Sequence, residues 1–335
     1  MTDSLVQHPS AVRATVDFNE PGVRHGHLRL PWSRNDSAWG NLMIPLTVIV
    51  GAPGPTALVT GGNHGDEYEG PLAILDLARR LEPSALTGRL ILLPFMNHPA
   101  VKAGARVSPI DGVNMNRCFP GAPEGTITHQ IADYVFRALT PMASLVLDFH
   151  SGGKTLDFLP LAASHLLPDK GLEARCAAAA DAFNAPYTMR MLELDPTGLF
   201  DTAVEGTGCT FVTTELRGGG TATAESVGMA RRGLRNVLIH AGMLEGEIEM
   251  RPSVRLDMPS LDCYAFAQEA GMLEATVDLG GTVARGQVIA RVWRLDRTGA
   301  APEDVRSGMD GVIAARHFPG LVQPGDAVAV VATVV

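Results

Sequence analysis

The chain has 335 residues, of which 46% are hydrophobic and 19% are charged, a composition typical of a globular protein with a sizeable buried core. Its formal net charge is −9, and no run of Lys or Arg provides the cationic surface that a nucleic acid backbone requires. Nucleic acid is therefore excluded from the predicted partners.

Residues 1–40 form a predicted N-terminal segment, in which we expect no secretion signal. The segment lacks the basic start, the apolar stretch and the small-residue cleavage site of a secretory leader. The most apolar runs of the chain, such as residues 44–50, are far shorter than the roughly 20 residues that cross a bilayer. We therefore expect a cytoplasmic protein that does not bind membranes.

Between residues 41 and 248, apolar strand-like runs alternate with helical patterns. This alternation is typical of an α/β domain in which helices flank a mainly parallel, mixed sheet. The predicted strands cover residues 44–50, 56–61, 89–95, 144–149, 186–192 and 209–216. Apolar residues recur every three or four positions in the predicted helices, which cover residues 70–81, 128–139, 171–183 and 224–244.

The chain changes character after Gly246. Residues 250–260 carry two prolines and polar residues, which favours a linker, and residues 249–335 form a predicted small all-β domain. Residues 281–292 and 320–331 repeat the same pair of glycines followed by an alternating strand. Two such units facing each other would resemble the half-barrel pair of lipoyl and biotinyl carriers.

The positions of the lysines show whether this domain can act as a carrier, because lipoyl and biotinyl carriers hold their cofactor on a lysine. Lys102, Lys154 and Lys170 are the only lysines of the chain, so the C-terminal domain has no lysine to carry a covalent cofactor. Two interpretations stay open. The domain is either a packing or oligomerisation module, which would make a homo-oligomer, or a lid or wall of the active site.

The first metal-binding pattern follows the predicted strand at residues 56–61. His64 and Glu67 are three residues apart, so in a helical turn both side chains point to the same side and can bind one cation. The carboxyl end of a strand is the usual place for a ligand in an open α/β sheet. The alternative is a helix start with a solvated Glu67.

A second strand end adds to this pattern. His150 directly follows the predicted strand at residues 144–149. Two histidines and one carboxylate are a known ligand set of catalytic zinc, and the fourth position is left for water. Asp148 shares a strand face with His150 and could accept a hydrogen bond from a ligand imidazole, with a buried capping role as the alternative.

Glu215 ends the predicted strand at residues 209–216. A glutamate there could accept a proton from a metal-activated water and pass it to the leaving amine. An ion pair with Arg217 is the alternative. Two further arginines, Arg106 and Arg117, are candidates for binding a substrate carboxylate or a tetrahedral oxyanion, although each alone is typical of a surface.

Together these motifs resemble the succinylglutamate desuccinylase/aspartoacylase family, a branch of the zinc carboxypeptidase-like fold. The resemblance covers residues 40–245, and the HxxE and strand-end Asp-x-His of the family match His64 with Glu67 and Asp148 with His150. It implies a zinc carboxypeptidase-like fold, one Zn²⁺ per chain and hydrolysis of a linear amide in a small N-acyl amino acid.

The resemblance also implies roles for the remaining candidates. Glu215 matches the catalytic glutamate of the family, and Asn116 with Arg117 matches the Asn-Arg pair that holds the substrate carboxylate. Arg106 matches the upstream arginine that polarises the scissile carbonyl. The chain departs from the family pattern at residues 114–115, where Asn-Met replaces the usual Asp-Leu.

Within the family, the segments GGNHGDEYEGP, NMNRCFPG and LDFHSGG are most similar to those of deacetylases acting on N-acetyl-L-2,4-diaminobutyrate in ectoine breakdown. The alternatives are aspartoacylase- or succinylglutamate desuccinylase-type activity on another N-acyl amino acid, a zinc carboxypeptidase, or a zinc-binding protein without catalysis. An acetylated diaminobutyrate carries a free amine that needs an acidic partner. The candidates for this partner are Glu193, Asp195 and Glu205.

Overall fold

A computed structural model describes residues 10–335 of the chain, so the start of the predicted N-terminal segment, residues 1–9, lies outside the described residues. Nineteen strands in this range form two sheets, a long mixed sheet that runs through the whole described chain and a four-stranded antiparallel sheet near its C-terminus. No helix in residues 10–335 is long and apolar enough to span a membrane.

The first part of the chain builds most of the long sheet. Its strands are β1 (Arg13–Ala14), β2 (Gly22–Pro31), β3 (Asn41–Val50), β4 (Ala52–Gly61), β5 (Thr87–Leu93), β6 (Leu145–Phe149), β7 (Leu156–Phe158), β8 (Leu161–His165), β9 (Tyr187–Met191) and β10 (Thr210–Glu215). All except β7 follow one path, in the order β1-β2-β3-β5-β4-β6-β10-β8-β9. The central strands β5, β4, β6 and β10 are parallel, whereas β3 and β8 run antiparallel to their neighbours β5 and β10.

Helices and short helical turns cover this sheet. The α-helices are α1 (Glu69–Arg80), α2 (His98–Ala103), α3 (Ile127–Tyr134), α4 (Lys170–Phe183), α5 (Phe200–Glu205) and α6 (Ala224–His240). One π-helical turn covers Val135–Leu139, and the 3₁₀ turns of this part cover Pro83–Ala85, Met115–Arg117 and Thr140–Met142.

Alternate residues of the central strands enter two different cores. Leu58 and Val146 pack with α3 and α5 on one face, whereas Val59 and Leu147 pack with α1, α4 and α6 on the other. Both faces of the strands are therefore apolar, as expected for a buried parallel sheet. The predicted α/β class with a mixed, helix-flanked sheet is confirmed.

Several elements differ from the sequence prediction. The helix predicted at 128–139 ends as a π-helical turn, and the one predicted at 224–244 ends at His240. Strand β8 has no alternating pattern because its small residues are buried on both faces, and β2 carries four basic residues, of which His25 and Arg29 are exposed. Neither strand contains the kind of apolar run by which the other strands were predicted.

The C-terminal part is all β-structure. Its strands are β11 (Val254–Asp257), β12 (Tyr264–Phe266), β13 (Gly271–Ala275), β14 (Thr282–Val283), β15 (Val288–Trp293), β16 (Glu303–Arg306), β17 (Gly311–His317), β18 (Leu321–Val322) and β19 (Ala327–Val334), with a 3₁₀ turn at Leu261–Cys263. Each copy of the sequence repeat contributes one strand to each sheet. Strands β14 and β19 join the long sheet and β15 and β18 the four-stranded one, which confirms the all-β structure predicted for this part of the chain.

The predicted linker at residues 250–260 contains strand β11, so that part of the prediction is wrong. Strand β11 pairs in parallel with β9 and antiparallel with β19, which makes the two parts of the chain share one sheet. Arg190 of β9 donates two hydrogen bonds of 2.6 Å to Asp257 of β11. Strand β11 has only four residues, two of them exposed, which is too few to show the alternating pattern of a strand in the sequence.

Helix α6 allows a matched test of core packing. A Cβ at Gly233 would lie 2.3 Å from Cζ of Phe183, which is fully buried, whereas a Cβ at Gly228 would meet nothing within 4 Å. We expect Gly233→Ala to destabilise the fold by about 1–3 kcal/mol through overpacking. Gly228→Ala should instead stabilise it by up to about 1 kcal/mol through helix propensity. Thermal unfolding of both variants checks this, and equal shifts would contradict it.

Candidate active site and metal centre

Three adjacent parallel strands bring the site together. In the ladder β4–β6–β10, Gly61 pairs with Phe149 and Asp148 with Thr213, so the three carboxyl ends lie side by side. His64 follows β4, His150 follows β6, and Glu215 is the last residue of β10. The sheet therefore gathers residues that lie up to 151 positions apart in the sequence at one edge.

The turn that carries His64 and Glu67 is set by close backbone packing. It lies between β4 and α1, before the first residue of the helix, rather than in the helical turn that the sequence suggested. Gly65 accepts no larger residue without movement, because a Cβ there would lie 2.0 Å from the carbonyl carbon of Ala100 in α2. The Gly65 N–H donates to the carbonyl of Ala105 at 2.9 Å.

His64, Glu67 and His150 form one buried cluster. Nδ1 of His64 lies 2.7 Å from one carboxylate oxygen of Glu67, and Nδ1 of His150 lies 3.1 Å from the other. Each residue offers one ligand atom, and these atoms all lie within 4.8 Å of one another. The imidazoles His64 and His150 overcome the opposing effect of burial and hold the pKa of Glu67 well below its usual value. The cluster thus presents two imidazole nitrogens and one anion.

The far sides of both imidazoles are held by side-chain oxygens. Nε2–H of His150 donates to Asp148 at 2.8 Å, and Asp148 in turn accepts a 2.6 Å hydrogen bond from Thr60. Nε2–H of His64 donates to Oδ1 of Asn114 at 3.1 Å. With Nε2 occupied in this way, Nδ1 of each ring is left to face the cluster, which is the arrangement that metal-ligating histidines adopt.

Asn114 is the residue that sequence reasoning missed. Its Oδ1 also accepts the N–H of Asn116, so one side chain fixes both the ring of His64 and the turn that carries Asn116. The available signal was the departure from the family pattern at this position. An amide can accept the same hydrogen bond as the usual aspartate, but without its charge.

Glu215 lies beside the cluster with an unpartnered oxygen. Among the described residues its buried Oε2 has no hydrogen-bond partner. Burial, followed by the negative charge of Glu67, raises the pKa of Glu215 well above its usual value. The alternative of an ion pair with Arg217 is wrong, because Nε of Arg217 lies 3.6 Å from Asp157 instead.

The predicted substrate-binding side chains face the same cavity. Nη1 of Arg106 lies 3.8 Å from Oε1 of Glu67, which brings a cation to the cluster. Oδ1 of Asn116 accepts the N–H of Phe200 at 2.9 Å, so the amide NH₂ of Asn116 is left for another partner. Arg117 lines the cavity and makes no salt bridge to any residue in the range 10–335.

The cavity is small, and a neighbouring space beside it is closed by the C-terminal part of the chain. The space around the cluster and Glu215 measures about 100 Å³. A neighbouring space of about 210 Å³, which Glu215 and Arg117 also line, is closed by Tyr264, Ala315 and Ala329 of the C-terminal strands. The C-terminal β-structure is therefore a wall of the space next to the candidate active site, which favours the second of the two roles left open by the sequence.

A family comparison decides what kind of protein has this site. The model of the succinylglutamate desuccinylase/aspartoacylase catalytic domain matches residues 53–241 of the chain. The chain belongs to this family. Its members' amide-cleaving chemistry makes the chain a hydrolase of linear amides, and the predicted family and enzyme class are confirmed.

Individual members of the family resemble the chain over nearly its whole length. The N-α-acetyl-L-2,4-diaminobutyric acid deacetylase of Halomonas elongata is 54% identical over 331 residues, which cover 98% of this chain and 97% of that protein. The product-bound structure of the ectoine utilization protein EutE (DoeB) from Ruegeria pomeroyi superposes with a TM-score of 0.95 at 55% identity, covering 97% of this chain and 99% of that one. A succinylglutamate desuccinylase structure from Silicibacter sp. TM1040 gives a TM-score of 0.94 at 54% identity, with the same two coverages.

The hydrogen bond from His64 to Asn114 allows a test of the role of Asn114 in metal binding. We expect Asn114→Ala to weaken binding of a divalent metal by about tenfold to a hundredfold, because the ring of His64 loses its orienting acceptor. Asn114→Asp keeps the acceptor and should bind metal close to the level of the parent chain. Competitive chelator titration of the two variants measures the difference. Unchanged affinity in Asn114→Ala would remove Asn114 from the metal centre.

Proposed function

We propose that the chain is a zinc-dependent deacylase that hydrolyses N-α-acetyl-L-2,4-diaminobutyrate to acetate and L-2,4-diaminobutyrate. The observation that carries this proposal is the 54% identity, over 98% of the chain, with the Halomonas elongata deacetylase of that name. The small cavity favours a compact substrate over a peptide. A cytoplasmic location and a homo-oligomer built through the C-terminal domain stay predictions.

The donor set of the cluster fits a zinc ion. Two imidazole nitrogens and a carboxylate within 4.8 Å of one another can be reached together by zinc, whose bonds to such ligands are about 2.0–2.2 Å. His64, Glu67 and His150 would hold one Zn²⁺ per chain. When bound, the ion would supply Lewis-acid chemistry, polarising the amide carbonyl and lowering the pKa of a water molecule.

Glu215 is the proposed proton carrier. Its free Oε2 is buried next to the cluster, and its raised pKa suits a group that takes a proton from water and returns it to the leaving amine. The proton would rest on this oxygen between the two steps. Burial away from bulk water keeps it from being lost to solvent.

Two groups of side chains are proposed to hold the substrate. Arg106, next to Glu67, would donate to the oxygen of the scissile carbonyl as negative charge develops there. Arg117 and the amide NH₂ of Asn116 would bind the α-carboxylate, for which a guanidinium is well shaped. Asp148 would keep His150 oriented.

The proposed substrate is tested by a panel assay. Purified zinc-loaded protein is offered N-α-acetyl-L-2,4-diaminobutyrate, N-acetyl-L-aspartate, N-succinyl-L-glutamate and a dipeptide, and release of acetate, succinate or amine is measured. We expect the highest kcat/KM for the acetylated diaminobutyrate. A higher kcat/KM for succinylglutamate would assign the desuccinylase activity named for the Silicibacter relative. Preference for the dipeptide would indicate a carboxypeptidase.

The role of Glu215 is tested by Glu215→Gln, which keeps the size of the side chain but removes its proton acceptor. We expect kcat to fall by about 10²–10⁴-fold, the usual contribution of a general acid–base residue. Zinc content and thermal stability are measured alongside and should stay at the level of the parent chain. Full turnover in the variant would show that another group moves the proton.

A further inference from the structure

Two acidic side chains that the proposed mechanism does not use line the catalytic cavity. Glu193 follows β9 and Asp201 lies in α5, and both border the same space as Glu215 and Arg117. Asp201 is 7% exposed. Among the described residues its Oδ1 accepts hydrogen bonds from the backbone and hydroxyl of Thr202, whereas its Oδ2 accepts none. One oxygen of the Asp201 carboxylate is thus left open to a ligand at the cavity wall.

A histidine, His165, lies next to this pair together with a third carboxylate, that of Glu205. Nδ1 of His165, at the end of β8, lies 3.1 Å from Glu205, and its Nε2 lies 3.8 Å from Glu193. His165 pairs with Met191 in the β8–β9 ladder, so the start of the loop with Glu193 is fixed by the sheet. Three carboxylates therefore surround a single imidazole.

The charges of this group do not balance. Although burial opposes it, the neighbouring carboxylates of Glu193 and Glu205 raise the pKa of His165 to about 10, which favours the charged form of the ring. Burial raises the pKa of Asp201, and the nearby Glu193 adds to this effect, whereas His165 opposes it. A second cation beside Glu193 and Asp201 would offset this repulsion.

The acidic pair is rigidly connected to the proposed carboxylate site. Phe200, which precedes Asp201, donates its N–H to Asn116 and stacks on Phe119 with ring centroids 4.5 Å apart. Gly198 has a φ of +76°, and a Cβ there would lie 2.4 Å from the carbonyl oxygen of Arg117. The segment with the acids and the segment with Asn116 and Arg117 therefore pack as one unit.

We propose that Glu193 and Asp201 bind the side-chain ammonium of the substrate and so select N-acylated diamino acids over N-acyl amino acids without that amine. The inference rests on the proposed function, because it takes the amide to be cleaved beside Glu215. Glu193 and Asp201 border the same cavity as Glu215, so one small substrate can reach all three side chains. The four bonds from the amide nitrogen to the γ-nitrogen of diaminobutyrate span about 5 Å, a length that fits within one small cavity.

The structure separates these two residues from the other acids that the sequence offered. Asp195 is exposed and accepts the N–H of Thr197, outside the catalytic cavity. Glu205 faces His165 and does not border that cavity. Glu193 is thus retained from the sequence candidates, and Asp201 is added.

A second metal ion is the competing occupant of this position. Ligand atoms of His165, Glu193 and Asp201 also lie within 4.8 Å of one another. The ammonium is favoured because Glu193 and Asp201 border the catalytic cavity whereas His165 does not, so a cation that enters from this cavity meets the two carboxylates and not the imidazole. Metal content distinguishes the two.

The experiment compares two substrates that differ only in the amine. N-α-acetyl-L-2,4-diaminobutyrate and N-acetyl-L-2-aminobutyrate are assayed with the zinc-loaded parent chain, Glu193→Gln, Asp201→Asn and the exposed control Asp195→Asn. We expect Glu193→Gln and Asp201→Asn each to lower kcat/KM for the diamine by about tenfold to a hundredfold, mainly through KM, from the loss of a charged hydrogen bond. The value for the aminobutyrate should stay within about threefold, and Asp195→Asn should match the parent chain with both substrates.

Binding and metal content complete the test. By calorimetry, the Kd of the product L-2,4-diaminobutyrate should rise in the same two variants by a similar factor. An equal loss for both substrates, or an unchanged ratio, would overturn the amine-binding role. Two metal ions per chain, falling to one in Asp201→Asn, would also overturn it. If the parent chain does not hydrolyse the acetylated diaminobutyrate at all, it is the proposed function that fails.

Discussion

The parallel pairing of β4, β6 and β10 is the constraint on which the site depends. Parallel neighbours end at the same edge of a sheet, so His64, His150 and Glu215 meet although the sequence separates them widely. Backbone hydrogen bonds hold these ends in place, and apolar side chains on both faces hold the strands. A shift of register by one residue in β6 would turn His150 and Asp148 to the opposite faces.

Burial strengthens the electrostatic interactions between the charged side chains at this edge of the sheet. The cluster of His64, Glu67 and His150 is almost fully removed from solvent, and the C-terminal strands close the cavity beside it. At low dielectric each charge acts strongly on its neighbours, which is why the pKa of Glu67 is lowered by the two imidazoles while the pKa of Glu215 is raised by burial and by the charge of Glu67. The joint sheet through β11 fixes the C-terminal wall to the catalytic part. Two parts of the chain that the sequence predicts as separate domains thus share one sheet and line one cavity next to the cluster.

The fold was predictable where local sequence carries a period or a composition. The central strands and the large helices α1, α4 and α6 each bury apolar residues at regular intervals, and their positions agree with the prediction to within a few residues. Strand β8 and the joining strand β11 were not predictable. Their short segments are stabilised by neighbours in the sheet rather than by a pattern of their own.

For the site, the sequence by itself determined the kinds of residue present and the strand ends at which they lie. Two histidines, a glutamate and a strand-end Asp-x-His define a metal chemistry before any contact is known. Only the tertiary structure decided the partners, since these depend on distances between remote segments. In the structure, Asn114 accepts a hydrogen bond from His64, and Arg217 forms a salt bridge with Asp157. Among the described residues, Oε2 of Glu215 has no hydrogen-bond partner. Glu193 and Asp201 border the cavity and Asp195 does not. This difference follows from tertiary packing, and no local sequence pattern predicts it.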